Sequence, residues 1–329
     1  MLFNDRLMRN LKEAVKFYLK YCEQNRNMSP LTLKAYSIDL EQFVLMHGDI
    51  KLELISKAEI ESYHFKLKDA ERTPRTIKRK LASLKAMFKW LEIEEYLSEN
   101  PFNKYQLKIK VPKLLPKTIP KPDMKKMFDV SMSELGLNHF NFELRRSQYQ
   151  INSKKDLNKF TTVLTVELLL STGLRISELA NIKNEDIFIQ ERKIKIFGKG
   201  SRERFVFLTN IEHVWLIEAY QSAKTIVLPN SNHLLVNSRG GAASTQFLRK
   251  LIRVLAKTAN VPNKVTPHMF RHSAASELLE SGVDIRFVQK LLGHSSISTT
   301  EIYTHVNDRA LKERLVLADI RSQILQRCD

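Results

Sequence analysis

The chain runs to 329 residues, 43% of them hydrophobic, enough to bury more than one compact core. Lysine and arginine number 54 against 36 aspartates and glutamates, a formal balance of +18. That surplus favours a polyanionic partner, because cationic side chains neutralise phosphates and release condensed counterions. Asp5, Arg6, Arg9, Lys12, Glu13 and Lys16 interrupt the first apolar residues, so neither a signal peptide nor a membrane anchor is expected, and a cytoplasmic protein is. Cys22 and Cys328 are far apart and lack close Cys/His spacing, which argues against a disulfide framework and a structural zinc site.

In chain order, the first hundred residues predict four helices, at about 5–25, 30–47, 56–71 and 74–97. Ser29-Pro30 and Thr73-Pro74 each place a capping side chain before a proline at the first helical position, and Ser56 with Glu59 makes a capping box. Leu33, Tyr36, Leu40 and Phe43 follow the spacing of a buried helical stripe. Between Asn100 and Pro122 lie five prolines and six lysines with no acid, which reads as an extended basic linker. It is either a tether or a strap that runs along DNA and lets two lobes close around a duplex. The expected domains are a helical DNA-binding domain at 1–110, a linker at 111–122, and a second domain at 123–329.

Helical patterning resumes near Asp123, and a polar segment at about 133–158 reads as an insertion before an apolar helix through Val163, Leu164, Val166, Leu168 and Leu169. Short β-branched and aromatic runs at 187–189, 194–197 and 204–207 then predict a small antiparallel sheet, with Gly198-Lys199-Gly200 at one turn. Further helices are expected at about 211–224, 244–259, 267–281, 285–292 and 298–304, and a last amphipathic stretch at 308–326. The fold class is therefore mainly α with a small antiparallel β-sheet.

Several polar residues stand where packing does not ask for them. Arg175 follows the helix-ending Gly173 and opens the next helix, where backbone donors and a guanidinium fork can converge on an anion; equally, it can pair with Glu178. Lys199 at a hairpin tip is either solvated or a proton donor carried into a groove. His268 and Arg271 share the first turn of a helix that starts at Thr266-Pro267, suited to a phosphate or to a capped surface helix. His294 follows the glycine of Leu291-Leu292-Gly293, and Tyr303 comes nine residues later. A tyrosine there is core, rim, or a nucleophile attended by cations and a base.

Taken in order, Arg175, Lys199, His268, Arg271, His294 and Tyr303 resemble the active site of the tyrosine recombinase and phage integrase family. The arginine stands in Thr172-Gly173-Leu174-Arg175-Ile176-Ser177-Glu178-Leu179, followed by the hairpin lysine, His-x-x-Arg, Leu-Gly-His and the tyrosine. The resemblance covers about 123–329 by motif and 1–100 by arrangement, as a core-binding domain. In length and compactness the chain is most similar to the bacterial Xer group, from which the 133–158 insertion departs.

The resemblance implies that Tyr303 attacks the scissile phosphate to give a 3′-phosphotyrosyl bond, that His268 manages the tyrosine proton, and that Lys199 protonates the leaving 5′ oxygen. Arg175, Arg271 and His294 would bind the non-bridging oxygens, and Glu178 would orient the site. No metal or cofactor is expected. The implied partners are double-stranded DNA with an inverted-repeat site, a homotetramer on two such sites, and a DNA translocase as activator. Leu311, Leu315, Leu317 and Ile320 in the tail suit docking on a neighbour or packing on the chain's own body. Alternatives to chromosome dimer resolution are a mobile-element integrase, a type IB topoisomerase-like enzyme, and a DNA-binding protein without catalysis.

Overall fold

The computed structural model describes residues 10–105, 109–112, 117–136, 153–198, 203–228, 231–293 and 308–325. The chain divides into two compact units, Met1–Leu114 and Leu115–Asp329. Among the described residues no helix is long and apolar enough to cross a membrane.

The first unit is built of α1 (Leu11–Gln24), α2 (Pro30–His47), α3 (Lys57–Asp69) and α4 (Pro74–Ile93). The start signals in the sequence act as expected: Ser29 accepts from the Thr32 amide and Thr73 from the Thr76 amide, each before a first-turn proline. The Ser56 amide donates to Glu59 Oε2 at 2.7 Å while Ser56 Oγ accepts from the Ala58 amide, so orphan donors at the start of α3 are satisfied. Helix α4 stops at Ile93, short of the expected 97, and Glu95 takes a left-handed φ of 61°. Leu40 and Phe43 of the predicted stripe are fully buried, with Phe43 edge-on to Tyr63 and Phe88.

Within this core the Asp39 carboxylate on α2 is completely buried. Lys80 Nζ donates to Asp39 Oδ1 at 3.0 Å and to Gln42 Oε1 at 2.6 Å; Ser83 Oγ donates to Asp39 Oδ2 at 3.1 Å, and Arg79 pairs with the same oxygen. This knot ties α2 to α4.

The second unit contains α5 (Lys121–Ser133), α6 (Lys154–Thr172), α7 (Ile176–Ala180), the strands β1 (Ile187–Phe188), β2 (Lys193–Phe197) and β3 (Glu203–Phe207), and then α8 (Ile211–Val227), α9 (Thr245–Thr258), α10 (Pro267–Glu280), α11 (Ile285–Leu292), α12 (Asp308–Ala318) and α13 (Ile320–Leu325). Helix α6 is the axis of the core, with α5, α8, α9, α10 and α13 packed around it. It is therefore apolar on nearly every face, and its threonines satisfy their hydroxyls internally: Thr161 donates to the Leu157 carbonyl and Thr165 to that of Thr161. The strands pair antiparallel in the order β1-β2-β3, with Ile194 opposite Val206 and Ile196 opposite Arg204. The chain is thus mainly helical with one small antiparallel sheet, as its sequence predicts.

Three expectations need correction at their edges. The Pro/Lys linker was drawn to 122, but α5 begins at Lys121 and takes Pro122 into its first turn, where a missing amide costs nothing. The polar segment drawn to 158 ends earlier, because Ser153 caps α6 by accepting from the Asp156 amide; residues 137–152 lie outside the described residues. The single tail helix is two, broken at Asp319 (φ 22°), whose carboxylate accepts from the Ser322 amide and hydroxyl. The tail's Leu315, Ala318, Ile320 and Ile324 are buried, with α13 packed on α5, α6 and α10 of its own unit, while Leu317 stays exposed. Of the two alternatives for Leu315 and Ile320, this is packing on the chain's own body.

Candidate active site

Two glycines in the left-handed region set the frame. Gly173 (φ 62°) ends α6 and Gly293 (φ 62°) ends α11, each as the residue after the last helical turn. A Cβ on Gly173 would meet Leu292 Cδ2 at 2.5 Å, and one on Gly293 would meet the Arg204 guanidinium at 3.2 Å. Only glycine permits both the backbone turn and the close approach of the two helix ends.

Onto the end of α11 converge three arginines from three different elements. Arg175, at the start of α7, donates from Nη2 to the Gly293 carbonyl at 3.2 Å. Arg204, on β3, donates from Nε to the Leu291 carbonyl at 2.9 Å. Arg271, one turn into α10, donates to the Leu292 carbonyl at 2.5 Å and to that of Gly173 at 2.8 Å. The last carbonyls of a helix carry partial negative charge and lack intrahelical partners, so guanidinium groups satisfy them well.

A single carboxylate sits among these cations. Glu178 Oε1 accepts from Arg175 Nη1 at 2.8 Å and Arg204 Nη1 at 2.9 Å; Oε2 accepts from the Arg175 amide at 2.8 Å and Arg204 Nη2 at 2.8 Å. Burial by itself would raise this carboxyl, yet the bonds from Arg204 and Arg175 outweigh it and hold the group below the usual carboxylate range. The Arg175–Glu178 pair, one of the two readings of that arginine, is present, and Arg175 still keeps 37% of its side chain open to solvent.

Three guanidinium groups against one carboxylate leave a net charge of about +2 in a partly buried place, the electrostatic setting of an anion site. Burial, then the neighbouring Arg175, lower Arg271 from 12.5 to about 10, with Glu178 opposing. Arg271 therefore stays charged at neutral pH, and an incoming anion would relieve the repulsion. His268, three residues before Arg271, is exposed while Arg271 is buried, so the shared turn sends the guanidinium inward and leaves the imidazole at the surface. His272 is also exposed, its imidazole lowered by partial burial and by its electrostatic neighbours His268 and Arg271. The strap reaches this helix too: the Ile119 amide donates to Ser273 Oγ at 2.9 Å, and Lys121 pairs with Glu277 at 2.9 Å.

Of the sequence-predicted site, the fold gathers Arg175, Glu178 and Arg271 and leaves His268 exposed on the same helix as Arg271. Lys199, His294 and Tyr303 lie outside the described residues. Two features escaped sequence reasoning. Arg204 is the charged residue at an inward position of an alternating hairpin, opposite Ile196 and beside Val206. That break in the pattern was its signal. Helix α9 buries Leu248, Ile252, Leu255 and Ala256 and exposes Arg249, Lys250, Arg253 and Lys257, with no acid anywhere in the helix.

Comparison with known proteins agrees with this site. Residues 144–310 match the phage integrase family, and residues 15–110 match the phage integrase N-terminal SAM-like domain. The chain is 37% identical to a tyrosine recombinase of Agathobacter rectalis over 94% of this chain and 97% of that one. It is 32% identical to the tyrosine recombinase XerC of Leptospira interrogans over 92% of each. Among solved structures, the fold is similar to a lambda integrase (75–356) dimer bound to a COC' core site, with a TM-score of 0.66 at 18% identity over 89% of this chain and 100% of that one. It is also similar to the XerH recombinase bound to difH substrate, with a TM-score of 0.62 at 22% identity over 91% and 82%. The guanidinium cluster on a mainly helical fold and the extent of these matches together place the chain in the tyrosine recombinase (phage integrase) family, as an enzyme that cleaves and rejoins DNA.

Proposed function

We propose that the protein is a site-specific recombinase that resolves chromosome dimers in the manner of the Xer group. The observation that carries the site is the convergence of Arg175 and Arg271 on the end of α11, with one carboxylate for three guanidinium groups. A phosphodiester under attack gains charge on its non-bridging oxygens, and Arg175 and Arg271 supply preorganised donors for it. His294, next in sequence after Gly293, adds a further donor. Tyr303 is the nucleophile, His268 handles its proton, and Lys199 protonates the departing 5′ oxygen. Atoms balance: the tyrosine oxygen replaces the 5′ oxygen on phosphorus, and the bond energy is kept for the reverse attack by a second 5′-hydroxyl. No metal, cofactor or ATP enters this sequence of steps.

Residues 1–110 act as the core-binding domain, the strap that ends where α5 begins at Lys121 follows the duplex, and the rest of the chain carries the chemistry. The basic face of α9 grips backbone phosphates. Relatives named XerC and XerD, at 29–32% identity along most of the chain, support the dimer-resolution role. The working form proposed is a homotetramer on two inverted-repeat sites with a DNA translocase as activator; a lambda integrase solved as a tetramer bound to a Holliday junction supports the tetramer alone. The polar sequence ahead of α6, which departs from the Xer pattern, is the feature that favours the second reading, a mobile-element recombinase.

The test is to denature host cells rapidly and sequence DNA left covalently attached to the protein, with Tyr303→Phe as control. One enriched inverted-repeat site near the replication terminus, absent in the variant, is expected. Enrichment at the ends of an element would instead establish the mobile-element reading. No Tyr303-dependent adduct, even on purified nicked DNA, would overturn the assignment of the nucleophile.

A further inference from the structure

We infer that Arg204 is a positioning residue for DNA cleavage, holding the Arg175 guanidinium in its phosphate-facing place by sharing the Glu178 carboxylate with it. The inference rests on the proposed role of Arg175 as a phosphate clamp. Arg204 belongs to none of the motifs that mark the site in the sequence, and it reaches the site from β3.

Each Glu178 oxygen accepts one bond from Arg204 and one from Arg175, so neither arginine has the carboxylate to itself. The exposures then separate the two: the Arg175 side chain is 37% open, that of Arg204 13%, and that of Glu178 5%. Arg204 lies behind and Arg175 in front, and only the front residue has donors free to meet a ligand from solvent.

Without Arg204 the buried carboxylate would have a single guanidinium bonded to it, and an unshared attraction in a place of low dielectric would draw Arg175 inward into a closed bidentate pair. The same loss would leave the Leu291 carbonyl without its guanidinium, at the helix end whose next two carbonyls hold Arg175. The crowding of Arg204 against Gly293, where a Cβ would sit 3.2 Å from the guanidinium carbon, fits a part held to close tolerance. A displacement of about 1 Å in a clamp of this kind costs on the order of 10²-fold in rate.

The experiment is a double-mutant cycle on single-turnover cleavage of a nicked recombination site, with DNA affinity and thermal unfolding followed in parallel. Arg204→Gln should cleave about 10²-fold more slowly at near-wild-type affinity, and Arg175→Ala should lose at least as much. Because Arg204 acts through Arg175, the double variant should be no slower than Arg175→Ala alone within about threefold. Multiplicative losses would overturn the inference, since they make Arg204 an independent contributor, as would wild-type cleavage by Arg204→Gln. Wild-type cleavage by Arg175→Ala would instead sink the phosphate-clamp reading itself. Should Arg204→Gln fail to fold, Arg204→Lys decides: its one ammonium cannot span both carboxylate oxygens and the Leu291 carbonyl, so about tenfold slower cleavage is expected, and an unchanged rate overturns the inference.

Discussion

Each unit of the molecule holds a buried carboxylate bonded by more than one cation, Asp39 in the first and Glu178 in the second, and the two clusters do different things. Around Asp39 the donors converge: Lys80 is spent on Asp39 and Gln42, Ser83 on Asp39, and the knot closes on α2 and α4 alone. Around Glu178 the donors diverge, with three arginines from α7, β3 and α10 dividing themselves between one carboxylate and four backbone carbonyls. The first arrangement fixes helix against helix. Both clusters hold more cation than carboxylate, and each has an open arginine, Arg79 at 48% and Arg175 at 37%. What sets the second apart is where its donors go: they come from three elements and meet at the carbonyl end of a helix, where an anionic substrate can use the surplus charge.

The sharpest way to break this comparison is Asp39→Ala. Lys80, whose side chain is 6% exposed, would be left buried without its counter-charge, and a loss of about 3–5 kcal/mol is expected. The measurement is urea unfolding with hydrogen exchange resolved by residue: amides of α2 and α4 should lose protection first. A loss below about 1 kcal/mol would mean the Asp39 knot is no more closed than the Glu178 cluster.

A smaller effect sharpens the other side. Inorganic phosphate should bind the surplus charge at Arg175 and Arg271, and at ten times its dissociation constant it should stabilise the second unit by about 1.4 kcal/mol. The amides of α7 and α11 report it by exchange protection, and Arg175→Ala should remove it. Equal stabilisation of the first unit, or of the variant, would reduce the effect to general salting-out by phosphate.

The smallest expected effect concerns a cation with no carboxylate at all. Lys224 on α8 is buried, its ammonium donating to Asn184 Oδ1 at 2.8 Å and the His233 carbonyl at 2.7 Å, and burial lowers it from 10.5 to about 8. The unfolded chain thus holds this proton more tightly than the folded one, so its penalty is full below about pH 8 and is relieved as pH rises toward 10.5. Between pH 8 and 9 the native protein should gain about 1 kcal/mol relative to Lys224→Met. A flat difference between the two would show that the amine keeps its proton in the folded state throughout that range.

Much was legible in the linear sequence because the signals are local. A serine or threonine before a proline caps the next helix, as Ser29 and Thr73 do, and Ser56 does so through its capping box with Glu59. The spacing of Arg175, His268 and Arg271 within their motifs marked two helix starts, and alternation marked the hairpin, so the fold class, the family and the gathering of Arg175, Glu178 and Arg271 could be read without coordinates. Tertiary structure alone decided which cations share a carboxylate, since Arg204 and Glu178 are 26 residues apart and meet only because β3 and α7 both pack against the end of α11. It also decided the path of the tail, where an amphipathic pattern says that Leu315 and Ile320 must be buried but not on what. Local rules fix the backbone's turns and the polarity of a face; the partner across that face, and the sign of the charge left over, depend on which distant segments the fold brings into contact.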